Sequence, residues 1–333
     1  MGQLNRLSVI GGGGFGTALA CVADRAGRQV RLWVRDPGIL VAINKGHVNP
    51  AYLPGITLPE AITATTDLTE AGDADAVLLA VPAQFVREVL AGLVRHLRAD
   101  APLLICAKGV ETGTNMLMHQ IAGEIAPDHP VAILSGPSFA ADIACGLPTA
   151  VTLACADSGV GAALVQAIGT QSFRPYLSPD VIGVEVGGAL KNVIAIACGV
   201  TEGRGMGESA RAALMTRGLA EITRLAVMLG GQAQTMMGLA GIGDLALTCN
   251  SRQSRNFSLG LRLGQGETLA SIISKSHGVF EGATTAGAAV QLARRTQADM
   301  PICAAVDAIL NGGADIDSAI TELLSRPFTR EEA

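Results

Sequence analysis

The stretch RLSVIGGGGFGTALA, Arg6 to Ala20, decides the fold. Arg6–Ile10 is a short apolar run that reads as a strand, and Gly11–Gly14 follows at once. Gly16–Ala26 has helical periodicity through Ala18, Leu19, Val22, Ala23 and Ala26, and Gly27 suits the position just past a helix end. Val30–Val34 is the next apolar run. Strand, glycine turn, helix, strand is a βαβ unit. Gly11, Gly13 and Gly16 form the pattern GxGxxG. The first glycine makes the tight turn, the second admits a pyrophosphate, and the third lets helix and strand approach. Amides at the helix N-terminus then face the phosphates. A glycine-rich turn of another kind would carry the same letters. Placed at the start of a βαβ unit, they point to dinucleotide binding.

The alternation continues down the chain. Asp36–Lys45 reads as helix, Gly46–Pro59 as a proline-containing loop and Ile62–Thr65 as a weak strand. The apolar runs Ala76–Val81, Pro102–Ala107 and Val131–Ser135 read as strands covered on both faces, with helices at Gln84–His96 and Thr114–Ala126 between them. Strands near Ala150–Cys155 and Phe173–Leu177 flank a helix at Gly159–Ile168. The sum is a doubly wound, Rossmann-like sheet of about eight strands. At Ser178-Pro179-Asp180 the pattern changes: Ser178 can cap a helix and Pro179 suits its first position. Beyond that point only helical patterns follow. The division is therefore residues 1–178, a dinucleotide-binding α/β domain, and residues 179–333, an all-helical substrate and catalytic domain. The tail RPFTREEA reads as frayed.

Composition sets limits. A chain of 333 residues with 49% hydrophobic and 16% charged residues can bury two large cores. The net charge of −5 argues against non-specific nucleic-acid binding, and 3% aromatics are too few for a base-stacking surface. Gly, Pro or charge interrupts every apolar run before membrane-spanning length, and the first residues lack a signal-peptide layout. The seven cysteines, at 21, 106, 145, 155, 198, 249 and 303, are scattered and read as buried free thiols of a cytoplasmic protein. Cys198 and Cys249 read as core packing. The five histidines show no metal-ligand spacing, so no metal is expected.

Several polar residues stand out against this background. VGGALKNVIAIACG, Val186–Gly199, reads as a buried helix with Lys191 and Asn192 in its middle. Lysines number four against twenty arginines, so Lys191 is not diffuse background charge. A lysine there must reach water or have a partner, and if desolvated it can exchange protons near neutral pH. At the end of the second strand, Arg35-Asp36 reads three ways: an arginine for the 2′-phosphate of NADP, an acid for the ribose of NAD, or a solvated pair. Asp36 fits better as a helix cap, which favours NADP. Lys108-Gly109 and Gly136-Pro137-Ser138-Phe139-Ala140 fall at C-terminal strand ends, where open sheets bind ligands. Lys108 could hold an anion there or be a surface lysine. Gly241-Ile242-Gly243-Asp244-Leu245 places one acid in an apolar turn. Thr248–Asn256 is dense in hydroxyls, amides and guanidinium, and reads as a phosphate site or as a polar capping loop. By pattern alone Glu281, Glu111, Glu185 and Glu202 read as caps or solvated carboxylates.

Taken in order, GGGGFGTALA, Ala107-Lys108-Gly109, GPSFA at Gly136–Ala140, GGALKNVIAIACG, GLAGIGDL at Gly238–Leu245, LTC..SRN and VFEG resemble the bacterial-type NAD(P)-dependent glycerol-3-phosphate dehydrogenase family. The resemblance runs from Val9 to Glu281. It implies reversible hydride transfer between NADPH or NADH and C2 of dihydroxyacetone phosphate, with glycerol 3-phosphate feeding phospholipid synthesis. It implies that Lys191 transfers the proton beside Asp244. Substrate contacts are implied at Lys108, Gly136 and Ser138, with Ser254, Arg255 and Asn256 around the substrate phosphate. Cofactor contacts are implied at Gly14, Phe15, Arg35, Lys108, Ala140, Arg255, Val279 and Glu281, in addition to Gly11, Gly13 and Gly16. At Gly14 many relatives are expected to carry a larger residue such as Ser. Gly187 and Gly188 are expected to let their helix lie close to the nicotinamide. A related dehydrogenase of a small keto or hydroxy acid, and a non-catalytic dinucleotide sensor, are the alternatives. Small-residue helices of the second domain could pack across a homodimer.

Overall fold

The computed structural model describes residues 4–276 and 279–328. The last five residues of the expected frayed tail lie outside that range. The described residues form ten strands: β1 Arg6–Ile10, β2 Gln29–Trp33, β3 Val48–Asn49, β4 Leu53–Thr57, β5 Thr63–Thr65, β6 Ala76–Leu79, β7 Leu103–Ile105, β8 Val131–Ser135, β9 Thr149–Cys155 and β10 Phe173–Ser178. Eight of them form one sheet in the order β10-β9-β8-β7-β6-β1-β2-β5. From β1 the chain winds one way through β2 and β5 and the other way through β6, β7 and β8. The switch point thus lies at β1, where the glycine turn sits.

The helices of this half are α1 Gly14–Arg25, α2 Pro37–Gly46, α3 Leu68–Gly72, α4 Val86–Leu93, α5 Met118–Ile125, α6 Ala140–Ala144 and α7 Ser158–Ile168. They cover both faces of the sheet. Leu78 and Leu104 belong to a core with α1 and α7, while Val77, Leu79, Leu103 and Ile105 belong to a second core with α4 and α5. That two-sided burial explains the continuous apolar runs of β6 and β7.

The structure departs from the sequence reading at four places. Residues 46–59 are not simply loop: β3 and β4 pair as a small antiparallel hairpin. Strand β9 runs antiparallel to β8, so β9 and β10 oppose the other six strands. Helix α5 begins four residues late, because Asn115 adopts φ 56° and no helix can pass through it. The helix after β10 is capped by Asp180, not Ser178. The Asp180 carboxylate accepts from the Gly183 amide at 2.9 Å and also ties down Gln232 N and Thr235 Oγ1.

The second half is helical among the described residues: α8 Val181–Gly203, α9 Glu208–Met228, α10 Asp244–Cys249, α11 Arg255–Gly264, α12 Leu269–Ser274, α13 Glu281–Thr296, α14 Pro301–Leu310 and α15 Ile316–Leu324. Helix α8 is apolar on every side and forms the axis of this core. By length and composition it could cross a membrane, but 83% of its most apolar window is buried inside the protein.

Two G-x-x-x-G pairs hold α8 against α11. A Cβ on Gly199 would lie 2.1 Å from Phe257 O, and one on Gly260 would lie 2.0 Å from Ile196 O. Gly203 and Gly264 face each other one turn on; a Cβ on Gly203 would lie 2.4 Å from Leu261 O and one on Gly264 would lie 2.6 Å from Val200 O. The crossing is backbone against backbone, which only glycine permits. Gly260→Ala is therefore expected to cost about 3 kcal/mol of folding stability through overpacking. Gly123→Ala, on an exposed face of α5 where a Cβ meets nothing, should instead be neutral or stabilise by about 0.5–1 kcal/mol. Urea denaturation of both variants checks this, and a Gly260→Ala protein as stable as wild type would refute it.

Candidate active site

The lysine in α8 is buried, with 7% of the residue exposed. Little of it reaches water. Its Nζ donates to Asp244 Oδ1 at 2.5 Å and to Thr248 Oγ1 at 3.0 Å. Burial drives its pKa down from 10.5 to about 8; the Asp244 charge opposes that shift and the nearby Lys108 charge adds to it. At neutral pH the ammonium is thus protonated yet close to exchange.

Asp244 is 1% exposed and shared. Its second oxygen, Oδ2, accepts from Lys108 Nζ at 2.8 Å. Burial alone would raise this carboxyl, but the two lysines outweigh it and hold the pKa below the ordinary carboxylate value. The acid is delivered by an unusual turn. Leu239–Gly243 winds as a wide π-type turn with Gly241 at ψ −107°, and a Cβ there would lie 2.2 Å from Met236 O. One turn later, Thr248 donates to the Asp244 carbonyl at 2.6 Å while accepting from Lys191. Thr248 is a site residue that the sequence placed only within a polar stretch. Its spacing, four residues after Asp244 on a helix, was the available signal.

Lys108 comes from the C-terminal end of β7. Besides Asp244, it donates to Gly136 O at 3.1 Å and lies 5.6 Å from the centre of the Phe15 ring. Gly136 follows β8 with φ 137°, and a side chain there would strike Val151 at 2.9 Å. Ser138 Oγ donates to the same Gly136 carbonyl at 2.7 Å. Lys108, Gly136, Ser138, Lys191 and Asp244 are thereby one constellation at the C-terminal edge of the sheet.

Gly187 and Gly188 do give a close approach, but to protein. A Cβ on Gly187 would lie 2.5 Å from Ala240 O, and one on Gly188 would lie 2.5 Å from Ser135 Oγ. These glycines seat α8 on β8 and on the turn before Asp244. Glu185 likewise departs from its expected solvated role: it is 3% exposed and binds the backbone and ring of His119. Glu111 pairs with Arg87, and Glu202 with Arg211 and Arg252. Cys198 and Cys249 are buried free thiols, whereas Cys145 is exposed.

The polar stretch ends as the start of α11. Ser254 caps it, accepting from Phe257 N at 3.2 Å, and Asn256 Oδ1 accepts from Gly282 N at 3.1 Å. Arg255, between them, is exposed. Glu281 opens α13, and its carboxylate accepts from Ala83 N at 3.3 Å. Burial raises its pKa against the lowering charges of Arg255, Lys108 and Lys191. These four groups therefore share one electrostatic neighbourhood. Val279 is half-buried just before it. Arg35 stands apart, exposed past the end of β2, and Asp36 caps α2 through Gly38 N at 2.6 Å.

The glycine turn fits a dinucleotide phosphate. Gly11 has φ 125°, and a Cβ there would meet Ala80 at 2.8 Å; Gly16 packs on Gly11 O, where a Cβ would sit 2.0 Å away. Between them, a Cβ on Gly13 would meet nothing within 4 Å. The backbone of this turn is thus open on one side, and the first amides of α1 have no intrahelical partner. At Gly14 a Cβ would lie 3.2 Å from Tyr52 O and 3.5 Å from Ala140, so a small side chain such as Ser fits only tightly.

A switch-point glycine turn facing a helical domain that supplies a buried lysine–carboxylate pair defines a two-domain nicotinamide-dependent dehydrogenase. The chain matches the models of the NAD-dependent glycerol-3-phosphate dehydrogenase N-terminus over residues 6–160 and C-terminus over residues 180–321. It is 54% identical over 329 residues to a glycerol-3-phosphate dehydrogenase [NAD(P)+] of Rhodospirillum rubrum, covering 98% of this chain and 94% of that one. It is 52% identical over 326 residues to the enzyme of the same name from Parvibaculum lavamentivorans, covering 98% of each. The crystal structure of glycerol-3-phosphate dehydrogenase from Coxiella burnetii superposes with a TM-score of 0.93 at 37% identity, covering 97% of this chain and 99% of that one. The chain belongs to the NAD-dependent glycerol-3-phosphate dehydrogenase family.

Asp244→Asn removes the one negative charge between two ammonium groups. Lys191 should then titrate below about 8, because Asp244 was raising its pKa. Folding stability at pH 7 should fall by about 3 kcal/mol, the cost of breaking a buried pair, eased because Lys191 can shed its proton. Chemical denaturation and NMR of the isotopically methylated lysines read the two effects. Unchanged values in both would mean that the pairing is energetically idle.

Proposed function

We propose that this protein reduces dihydroxyacetone phosphate to sn-glycerol 3-phosphate with NAD(P)H, reversibly, and so supplies glycerol phosphate for phospholipid synthesis. The observation that carries the reading is the desolvated Lys191 held by Asp244 at the strand-end face of a family fold. Gly11, Gly13, Gly14, Phe15 and Gly16 would hold the dinucleotide, with Lys108, Ala140, Arg255, Val279 and Glu281 lining it and Arg35 at the adenosine end. When bound, the nicotinamide supplies or takes the hydride at C2 of the substrate.

The protein's own residues do the rest. As C2 is reduced, negative charge develops on its oxygen. Protonated Lys191 stabilises that charge and delivers the proton; in the reverse direction neutral Lys191 removes it. Asp244 fixes the position of the ammonium and keeps its pKa from falling further. Two ammonium groups on one carboxylate leave a net positive charge, which favours an anionic substrate. Arg255, the amide NH₂ of Asn256 and the first amides of α11 suit the remote phosphate, whose binding positions C2. The acid-substrate alternative gains no support from relatives of this name, and a non-catalytic sensor would leave the Lys191–Asp244 pair without use. We place the junction of the two domains at residue 178, where β10 ends, and the reaction in the cytoplasm, on its seven free cysteines. We also propose a homodimer through the helical domain, on whose surface Val227, Met228 and Met237 are exposed. Sedimentation should then give twice the chain mass, and a monomer at micromolar concentration would exclude it.

The test is oxidation of NADPH and of NADH with dihydroxyacetone phosphate, beside unphosphorylated dihydroxyacetone and a 2-keto acid. Turnover should require the phosphate. Reduction should decline as pH rises through about 8, where Lys191 loses its proton, and oxidation of glycerol 3-phosphate should rise through the same pH. Lys191→Ala should lose about a thousandfold in kcat while NADPH binding persists. Full turnover in that variant would remove Lys191 from the reaction.

A further inference from the structure

The hairpin that the sequence concealed lies directly against the glycine turn. Asn49, the last residue of β3, is fully buried. Its single amide nitrogen donates twice: to the carbonyl of Gly12 at 2.9 Å and to Thr17 Oγ1 at 2.8 Å. One hydrogen thus holds the middle of the glycine turn and the other holds the first turn of α1. The hairpin approaches the turn again at Tyr52, whose carbonyl is the nearest atom to the space beside Gly14. Leu53 and Leu58 anchor the hairpin in the core below.

Asn49 also carries a cost that packing alone does not explain. Its Oδ1 is buried without a hydrogen-bond partner, and such an orphan acceptor destabilises a fold by about 1–3 kcal/mol. A leucine would fill the same volume without that cost. What the asparagine supplies in exchange is its two donors.

We propose that Asn49 is a positioning residue for the cofactor. The Gly12–Gly13 peptide is planar and trans, so its C=O and N–H point in opposite directions. Holding the Gly12 oxygen on Asn49 aims the Gly13 N–H away from the hairpin. Glycines have the widest choice of backbone angles, and four in a row would otherwise sample many peptide orientations. Asn49 removes that freedom before the pyrophosphate arrives, so the amides of the turn and of α1 are already set to receive it. The proposal rests on the glycine turn being the cofactor site.

Asn49→Leu tests it, because a side chain of that volume has no N–H to donate to Gly12 O and brings no charge to the phosphate site. NADPH Kd and KM should rise about tenfold, the worth of one such hydrogen bond. At saturating NADPH, kcat and the KM for dihydroxyacetone phosphate should stay within about threefold of wild type. Asn49→Ser, too short to reach both partners, should behave alike and serves if the leucine variant does not fold. Thr17→Val removes the other bond while Gly12 stays held, and its NADPH Kd should move by less than about threefold. Wild-type NADPH affinity in the Asn49 variants would overturn the proposal. So would equal losses in Thr17→Val, or losses of kcat and substrate affinity that track a falling Tm, since hairpin packing would then explain them. The decisive readout is NADPH binding. Absence of turnover with dihydroxyacetone phosphate in the wild type would instead count against the reaction alone.

Discussion

Everything at the proposed catalytic edge hangs on one carboxylate between two ammonium groups. Asp244 belongs to the helical half of the chain, Lys191 to its central helix, and Lys108 to the sheet. Their meeting joins the two halves of the chain by charge at the place where we propose the chemistry is done. Each lysine alone would be expensive there, because a buried ammonium loses hydration that one hydrogen bond does not replace. The shared carboxylate meets part of that cost and leaves one positive charge unbalanced. The result is a site that is stable enough to form and still hungry for an anion.

Much of this was legible in the sequence, and the rest was not for identifiable reasons. The two-sided strands β6, β7 and β8 announced themselves as apolar runs, and the glycine turn declared its βαβ unit by position. The β3–β4 hairpin did not, because two- and five-residue strands among prolines carry no period. The reversal of β9 was equally hidden, since an apolar strand reads the same in either direction and pairing is settled by neighbours. A capping serine or aspartate is a local signal, yet which one wins is not. Ser178 fitted the local rule, and Asp180 took the role because it also satisfies Gln232 and Thr235 more than fifty positions away.

The site shows the same split. That Lys191 needed a partner followed from its apolar surroundings. That the partner was Asp244 came only from family likeness, because nothing in a sequence measures a contact across 53 residues. Glu185 looked solvated for the same reason: its partner, His119, lies 66 positions away. The two glycines before Lys191 were visible as a signal of close approach, but a sequence does not say what approaches. The structure puts strand β8 and the Ala240 turn in that space.

The crossing of α8 and α11 has a meaning for the substrate. Lys191 stands on one of these helices, and the proposed phosphate anchor opens the other. Side chains that meet at a helix crossing can change rotamer and let the helices slide. Two backbones in contact have no such slack. The span between the proton and the phosphate is thus a fixed gauge, cut when the chain folds. Under the proposed reaction, discrimination by substrate length would then reside in four glycines packed against protein backbone.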